Sequence, residues 1–233
     1  MTEMLQLVNE LQRRIIAWEK ENFTPYPWRV SRTPYKVLIA EILLKRTTRR
    51  AVARIFPQFM TKFPDIEDIY RSPVEEIERV LMPLGLYRQR ALQLKRLAEI
   101  IAEKHQGKIP DNWEDLVELP GVGPYVAGAV LSFGYGKRAP VIDSNVLRLL
   151  GRLADIRLRN YSEALRILWR IVPEKGHELF NYGMIDLGAI VCHYRYPKCS
   201  ICPLYDVCIT AMKSRDSNRA SELWKKYNHL LVV

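Results

Sequence analysis

The residues of this sequence best suited to chemistry are four cysteines near its C-terminal end. The 233-residue chain has no other cysteine, and the four follow the pattern Cys192-x6-Cys199-x2-Cys202-x5-Cys208. Four thiolates in one short window predict a single soft-metal site, either a structural zinc or an iron–sulfur cluster. Zinc sites usually draw their ligands from two close pairs, and only Cys199 and Cys202 form such a pair. The spacing therefore favours an iron–sulfur cluster, with zinc as the alternative.

Composition and charge narrow the classes of protein to consider. The sequence is 48% hydrophobic and 27% charged, and it contains no apolar run long enough to cross a bilayer. Its N-terminal segment lacks the apolar core of a signal peptide. We therefore expect a soluble intracellular protein with reduced thiols, for which disulfides are the lesser possibility. The net charge of +10 favours an anionic partner, most commonly nucleic acid, although solubility or an acidic membrane surface would explain the same value.

Apolar residues recur at helical spacing along most of the chain, as in the stripe of Leu5, Val8, Leu11 and Ile15. No segment shows the alternation of a half-buried strand bounded by turns. The pattern predicts an all-α fold of about ten short helices with short connections. Three polar residues before such stretches are predicted helix N-caps: Asp65, Ser72 and Asp111.

A glycine-rich turn between two predicted helices is the second strong motif. The segment reads Leu119-Pro-Gly-Val-Gly-Pro-Tyr-Val-Ala-Gly-Ala129 and contains Gly121 and Gly123. Such a helix–hairpin–helix offers bare backbone N–H groups to a phosphate, with no side chain in the way. The alternative is a simple interhelical turn. A turn of that kind needs only a glycine, so the full Leu-Pro-Gly-Val-Gly pattern favours the phosphate-binding interpretation.

Two carboxylates stand in apolar surroundings. Asp143 follows the apolar residues Val141-Ile142 and precedes Ser144-Asn145 at the start of a predicted helix. It is either a helix N-cap or a carboxylate that stabilises positive charge developing on a sugar carbon. Glu41 lies within the apolar run KVLIAEILL. Glu41 is either at the edge of the apolar face or buried. If it is buried, desolvation would raise the pKa of its carboxyl group, which suits a general acid.

Taken together, these motifs resemble the helix–hairpin–helix DNA glycosylases, in the branch that contains endonuclease III and the adenine glycosylase MutY. The similarity runs from Pro27-Trp28-Arg29 to Cys208, nearly the whole chain. The matching segments also include Glu41-Ile-Leu-Leu, Gly85-Leu-Tyr-Arg-Gln-Arg-Ala91, the glycine-rich turn, and Val141 to Arg148. The cysteine spacing matches the signature of this branch, so the resemblance implies a [4Fe–4S] cluster on the four cysteines.

The residue two positions after the second hairpin glycine separates members of the branch. Endonuclease III-like enzymes carry a lysine there, which attacks the sugar and then drives strand cleavage. This chain has Tyr125 instead, and a phenol cannot form a Schiff base. The resemblance therefore implies a monofunctional glycosylase with no or weak lyase activity. We expect Tyr125 to line the base pocket, with simple packing as the alternative.

Three departures separate the sequence from MutY-like proteins. Lys45-Arg46-Thr47-Thr48 stands where those proteins typically have Gln-Gln-Thr, and the glycine–aromatic insertion after Gly85-Leu86 is missing. The sequence also ends soon after the cysteines, so we expect it to lack the domain with which MutY reads 8-oxoguanine. These features resemble the archaeal Mig-like glycosylases, which remove thymine or uracil paired with guanine. A minimal adenine glycosylase acting on A/G or A/8-oxoguanine pairs is the alternative, followed by a non-catalytic DNA-binding protein.

The resemblance also implies roles for individual residues. Asp143 would stabilise the oxocarbenium-like sugar, Glu41 would assist the departing base, and Asn145 would orient Asp143. The predicted DNA contacts are Lys45 or Arg46 as the wedge that fills the vacated space, the amides at Gly121 and Gly123, and the phosphate-binding His193, Arg195 and Lys198.

The implied architecture consists of two helical lobes with DNA in the cleft between them. One lobe would contain residues 26–136 and the hairpin. The other would combine residues 1–25 with residues 137–233 and hold the cluster. The expected partner is double-stranded DNA with a mismatched or damaged base, bound by a monomer without any membrane association.

Overall fold

The computed structural model describes residues 2–158, 160–213 and 215–231. Over these residues the fold is all α-helical, and no β-strand occurs in the described segments, so the predicted fold class is confirmed. The described α-helices are α1 Thr2–Asn22, α2 Pro27–Val30, α3 Pro34–Leu43, α4 Arg49–Lys62, α5 Ile66–Arg71, α6 Val74–Leu81, α7 Tyr87–His105, α8 Trp113–Glu118, α9 Pro124–Ala129, α10 Ser144–Ala154, α11 Tyr161–Ile171, α12 His177–Asp186, α13 Ile209–Lys213 and α14 Ser217–Leu231.

Short non-α turns extend or connect several helices. Val130–Gly134 continues α9 as a π-helical turn, and Leu187–Val191 does the same for α12. The cysteine segment, from Cys192 to Cys208, contains two 3-10 turns, Cys199–Ile201 and Tyr205–Val207. Of the helices in the described residues, none is both long and apolar enough to cross a membrane.

The chain divides into two compact units. The hairpin unit is Thr24–Lys137, and the cysteine unit combines Met1–Phe23 with Arg138–Val233. In the hairpin unit α7 packs against α5 and α6, while α3 packs against α9 and the π-helical turn that follows it. In the cysteine unit α1 packs against α12, and α10 contacts α12 and α13.

Helix α3 is the central helix of the hairpin unit. Eight of its ten residues are buried, which explains why its sequence is almost continuously apolar. Pro34 occupies its first turn, and the Thr33 side chain accepts a hydrogen bond from the Lys36 N–H at 3.2 Å. A Cβ on Gly134 would lie 2.7 Å from the Cα of Pro34. Only glycine therefore allows the π-helical turn to pack this closely on the start of α3.

The C-terminal end of α3 is capped by a side chain from α7. Arg90 is only 5% exposed, and its Nη1 donates to the carbonyls of Ile42 and Leu43 at 3.1 and 3.0 Å. Its Nη2 donates to the Lys45 carbonyl at 2.5 Å and its Nε to the Gly85 carbonyl at 3.1 Å. The guanidinium thus satisfies the carbonyls that the end of a helix leaves free and joins the Lys45 turn to the Gly85 turn.

We expect Arg90→Lys to lower the free energy of unfolding by about 2 kcal/mol, because an ammonium cannot reach four carbonyls in the fork geometry of a guanidinium. Urea unfolding followed by circular dichroism measures this change. Arg88→Lys, on the exposed side of the same helix, is the matched control and should stay within about 0.5 kcal/mol of the parent. Equal stability of the two variants would contradict this account of Arg90.

The predicted helix caps are right at one position and wrong at two. Asp65 opens α5 with a complete capping box. Ser72 ends α5 instead of starting α6. Helix α8 is capped by Asn112, whose side chain accepts the Asp115 N–H at 2.9 Å, while Asp111 forms an ion pair with Lys137 at 2.5 Å. A lysine distant in sequence therefore shifts the predicted cap by one residue.

Candidate functional site

Asp143 is the N-cap of α10. Its Oδ1 accepts the backbone N–H of Val146 at 2.8 Å, and its Oδ2 accepts the side-chain amide of Asn145 at 2.8 Å. The carboxylate is only partly exposed. The two interpretations of Asp143 are therefore compatible, since capping the helix also fixes the direction in which the charged group points.

The side chain of Asn145 is itself held in place by Arg148. Nη2 of Arg148 donates to Oδ1 of Asn145 at 2.9 Å and to the carbonyl of Gly188 at 2.5 Å, and its Nε donates to the carbonyl of Cys192 at 2.9 Å. A continuous hydrogen-bonded chain thus leads from the Asp143 carboxylate to the backbone of the first cysteine. No sequence motif predicts a role for Arg148 or Gly188, although the three-residue spacing of Asn145 and Arg148 on one helix face is a usable signal.

The four cysteines surround one cavity of about 310 Å³. All four are free thiols; Cys192 is buried and the other three are partly exposed. Among the described residues, no three His, Cys, Asp or Glu side chains form a group that could hold a single metal ion. The four thiols line one cavity, and four soft sulfur donors are the ligand set that a [4Fe–4S] cluster takes.

The thiols lie in a low-dielectric environment beside one arginine. Burial raises the pKa of Cys208 to about 11 and also raises the pKa of Cys202. Nη1 of Arg152 lies 3.3 Å from Sγ of Cys192, and Sγ of Cys208 lies 3.4 Å from the Arg152 carbonyl. Arg152, on α10, therefore contacts both the first and the last cysteine of the motif.

The loop between the first two cysteines carries the three predicted phosphate-binding side chains. Arg195 and Lys198 are exposed and His193 is partly exposed. The loop is closed at its base because the N–H groups of His193 and Lys198 both donate to the carbonyl of Val191, at 3.0 and 2.9 Å. These two hydrogen bonds fix both ends of the loop backbone that carries the three side chains.

The glycine-rich turn forms the predicted helix–hairpin–helix between α8 and α9. Gly121 has a φ of 79°, and Gly123 is the N-cap of α9, followed by Pro124. A Cβ on Gly121 would meet the movable end of the Gln93 side chain, 1.6 Å from its Nε2, so it is the backbone conformation that requires glycine. Lys45 donates a hydrogen bond from Nζ to the carbonyl of Gly121. Burial, and then the charge of Arg90, lower the pKa of Lys45.

Two non-glycine residues near the hairpin adopt the left-handed backbone conformation. Arg46 has a φ of 53° and Leu86 a φ of 59°, and both side chains are exposed, with Leu86 at 48%. Arg90 joins their two turns. Strained residues of this kind cluster at functional sites. The exposed Leu86 is therefore a candidate functional residue that no sequence motif predicts.

Glu41 and Tyr125 lie on two helices that pack together, α3 and α9. Glu41 is 6% exposed, so the alternative of a position at the exposed edge of α3 is wrong. Tyr125 is the second residue of α9 and is partly exposed. The hairpin unit thus carries Glu41, Lys45, Arg46, Tyr125 and the hairpin, whereas the cysteine unit carries Asp143, Asn145 and the cysteine loop.

Comparison with known proteins identifies the family. The HhH-GPD superfamily of base excision DNA repair proteins matches residues 39–174. The chain belongs to this superfamily. It is 38% identical over 187 residues to the thymine/uracil-DNA glycosylase of Methanothermobacter thermautotrophicus, a match that covers 78% of this chain and 85% of that protein. The solved structure of a thermostable thymine-DNA glycosylase superposes with a TM-score of 0.85 at 33% identity, covering 89% of this chain and 98% of that one.

The HhH-GPD superfamily also includes relatives with a different named substrate. The adenine DNA glycosylase of Buchnera aphidicola subsp. Baizongia pistaciae is 34% identical over 212 residues, covering 89% of this chain but 58% of that protein. The family predicted from the sequence motifs is therefore confirmed, and DNA is the polymer on which an HhH-GPD protein of base excision repair acts.

In this HhH-GPD protein, Gly188 leaves no room for a side chain beneath Asn145. A Cβ on Gly188 would lie 2.8 Å from both the Cβ and the carbonyl oxygen of Asn145. We expect Gly188→Ala to displace Asn145 and Asp143 and to slow base release by about 10-fold to 100-fold, while DNA affinity changes little. Single-turnover kinetics and equilibrium binding measure the two effects. Gly85→Ala, where the added methyl meets open space, is the control, and equal rates for both variants would refute the positioning role.

Proposed function

We propose that this protein is a monofunctional DNA glycosylase that removes thymine or uracil mispaired with guanine. The single observation that carries the proposal is the fixed Asp143 carboxylate at the start of α10, held between the Val146 N–H and the Asn145 amide. Support for the substrate comes from the thymine/uracil-DNA glycosylase relative, matched over 85% of its length, and from the thymine-DNA glycosylase structure, matched over 98% of its chain. The reaction is hydrolysis of one N-glycosidic bond by a monomer on double-stranded DNA.

Asp143 acts on the sugar of the flipped nucleotide. Extrusion of the base costs a few kcal/mol, and less for a mispair than for a matched pair. The N-glycosidic bond then breaks with its electron pair on the base, leaving positive charge on C1′ and the ring oxygen. The Asp143 carboxylate stabilises this charge. Water adds to C1′ and loses a proton, the base gains one, and the products are the free base and an abasic site.

Glu41 and Tyr125 are proposed to face the base. Burial of Glu41 in α3 suits a group that hydrogen-bonds or protonates the departing pyrimidine, because water would otherwise compete for it. Tyr125, at the start of α9, lines the pocket and cannot form the Schiff base that a lysine would form at that position. The abasic product therefore keeps its strand intact.

The hairpin unit supplies the proposed grip on the distorted duplex. Lys45 is bound to the Gly121 carbonyl and supports the hairpin, so Arg46 is the better candidate for the wedge that fills the space left by the flipped base. The exposed Leu86 on the neighbouring turn adds an apolar contact at unstacked bases. The amides at Gly121 and Gly123 bind phosphate, as do His193, Arg195 and Lys198 of the cysteine unit.

We propose that the four cysteines hold a [4Fe–4S] cluster. Support comes from the shared cavity of about 310 Å³ and from the branch-specific spacing. When bound, the cluster supplies a four-point cross-link of the cysteine segment and no chemistry on the sugar. The chain's own residues link this segment to the proposed catalytic carboxylate. Arg148 and Arg152, both on α10, donate to the carbonyls of Cys192 and His193, and Asp143 lies at the start of the same helix.

The test uses purified protein on labelled duplexes that carry T/G, U/G, A/G or A/8-oxoguanine pairs, resolved with and without hot alkali. Alkali-dependent breaks at T/G and U/G are the expected result. Breaks without alkali would overturn the monofunctional assignment. Breaks confined to the adenine duplexes would establish the second candidate, an adenine glycosylase, which the Buchnera relative supports over only 58% of its length. Binding without any break would leave only a DNA-binding protein.

A further inference from the structure

An open groove of about 620 Å³ runs along one side of α10 in the cysteine unit. Ser144, the residue after Asp143, lines it where α10 begins, and Arg157 lines it beyond the point where α10 ends. Because α10 has 11 residues, these points are separated by about 16 Å of helix. The groove therefore begins beside the proposed catalytic carboxylate and leads away from it.

The groove carries an excess of positive charge. Arg148, Arg152 and Arg157 line it, and Asp155 is its one acidic lining residue among those described. Asp155 is ion-paired with Lys213. The guanidinium group of Arg148 bonds to neutral backbone carbonyls, so its charge is not cancelled there. Arg152 bonds to two backbone carbonyls and also lies against the Cys192 sulfur, so Arg148 and Arg157 supply the charge that is free to attract a ligand. A polyanion is the ligand that this groove attracts.

Two tyrosines of the loop between Cys192 and Cys199 are exposed to solvent, and one of them lines the groove with these arginines. Tyr194 lines the groove and is 77% exposed, and Tyr196 is 83% exposed. The backbone beneath them is held by Arg152, whose Nη1 donates to the His193 carbonyl at 2.6 Å and whose Nη2 donates to the Tyr194 carbonyl at 2.7 Å. The loop thus presents exposed aromatic rings from a fixed backbone, which reduces the entropy lost when they bind a ligand.

Cationic side chains and aromatic side chains bind different parts of DNA. Arginines alone are sufficient to bind the phosphates of a duplex. Aromatic rings bind nucleic acid by stacking on base faces, and in an intact duplex those faces are already covered by neighbouring bases. A cationic groove with aromatic rings along it is the combination that binds unpaired nucleotides.

We propose that the α10 groove is a binding site for unpaired DNA, with Arg157 on a phosphate and Tyr194 stacked on a base. Tyr196 provides a second stacking surface on the same loop. The inference rests on the proposed function, which it deepens: a chain that acts on mispaired bases also holds unpaired nucleotides next to the lesion. The enzyme therefore binds mispairs near single-stranded segments or open duplex more tightly than mispairs within a long, fully paired duplex.

The test measures binding by fluorescence anisotropy with the full-length protein carrying its cluster. The probes are a single strand of about 16 nucleotides that contains only adenine and cytosine, and the same strand in a fully paired duplex. The variants are Tyr194→Leu and Arg157→Gln. Tyr161→Leu, which removes another exposed tyrosine of the same unit, is the control. The visible absorbance of each variant verifies that the cysteine segment is intact.

Tyr194→Leu should weaken single-strand binding by about 5-fold to 150-fold, without changing the dependence of affinity on salt or the affinity for duplex. Arg157→Gln should reduce the salt slope for the single strand by about 0.7. A 2-aminopurine in the strand should be quenched by the parent and by Tyr161→Leu, but less by Tyr194→Leu. Equal single-strand affinity of Tyr194→Leu and Tyr161→Leu would overturn the proposal.

The outcome is separable from that of the proposed function. The binding probes contain no mispair, so they report on the groove even if the protein releases no base. Base release from T/G duplex is measured on the same preparations. Normal release with unchanged single-strand binding in Tyr194→Leu overturns the groove proposal alone. Absent release by the parent, together with the expected binding changes, overturns the glycosylase proposal alone.

Discussion

Asp143→Asn is expected to reduce base release by about 100-fold to 1,000-fold or more while DNA binding persists. An asparagine oxygen can still accept the Val146 N–H, and asparagine is as good an N-cap as aspartate, so α10 should keep its start. The substitution removes the negative charge, and it also replaces the Oδ2 that accepts the Asn145 amide with an NH2 group that cannot accept it. A loss of rate therefore reports on the charge and its hydrogen bond to Asn145, and not on unfolding.

The measurement is single-turnover release from T/G duplex, combined with equilibrium binding to the same DNA. Asp216→Asn is the matched control, since Asp216 also accepts a backbone N–H at a helix start, from Arg219 at 3.0 Å. It should retain the parent rate. Full activity of Asp143→Asn would reduce Asp143 to a helix cap and remove the main support for catalysis.

Cys208→Ser is expected to prevent assembly of the proposed [4Fe–4S] cluster and to lower the Tm by at least about 5 °C. The segment from Cys192 to Cys208 contains only two 3-10 turns, so little regular structure holds it without a cross-link. Cys208 also lies against the carbonyl of Arg152, at 3.4 Å. Loss of this ligand therefore loosens the contact between the cysteine segment and α10.

Iron and sulfide analysis, visible absorbance and thermal unfolding measure the effect. Ser200→Ala, in the same exposed segment, should leave the colour and the Tm unchanged. A colourless parent that binds one zinc would contradict the cluster. A coloured Cys208→Ser variant with parental iron content would show that Cys208 is not a ligand.

Features that depend on local sequence were predictable. The all-helical class follows from apolar periodicity, and the Asp65 cap follows from residues within one helical turn. The glycine-rich turn also encodes its own conformation, because Gly121 needs a φ of 79° that other residues rarely adopt. Family membership follows from several such local motifs in a fixed order. The roles of Glu41 and Tyr125 stay predictions.

Features that depend on residues distant in sequence were decided only by the tertiary structure. Asp111 is no cap because Lys137 pairs with it, and Arg90 caps a helix more than 40 residues earlier. The connection from Asp143 to Cys192 passes through Asn145 and Arg148, and it needs the missing side chain of Gly188. Sequence alone names the groups that can do chemistry, because residue type sets charge, acidity and metal affinity. Their direction and spacing arise from long-range packing, which no local pattern encodes.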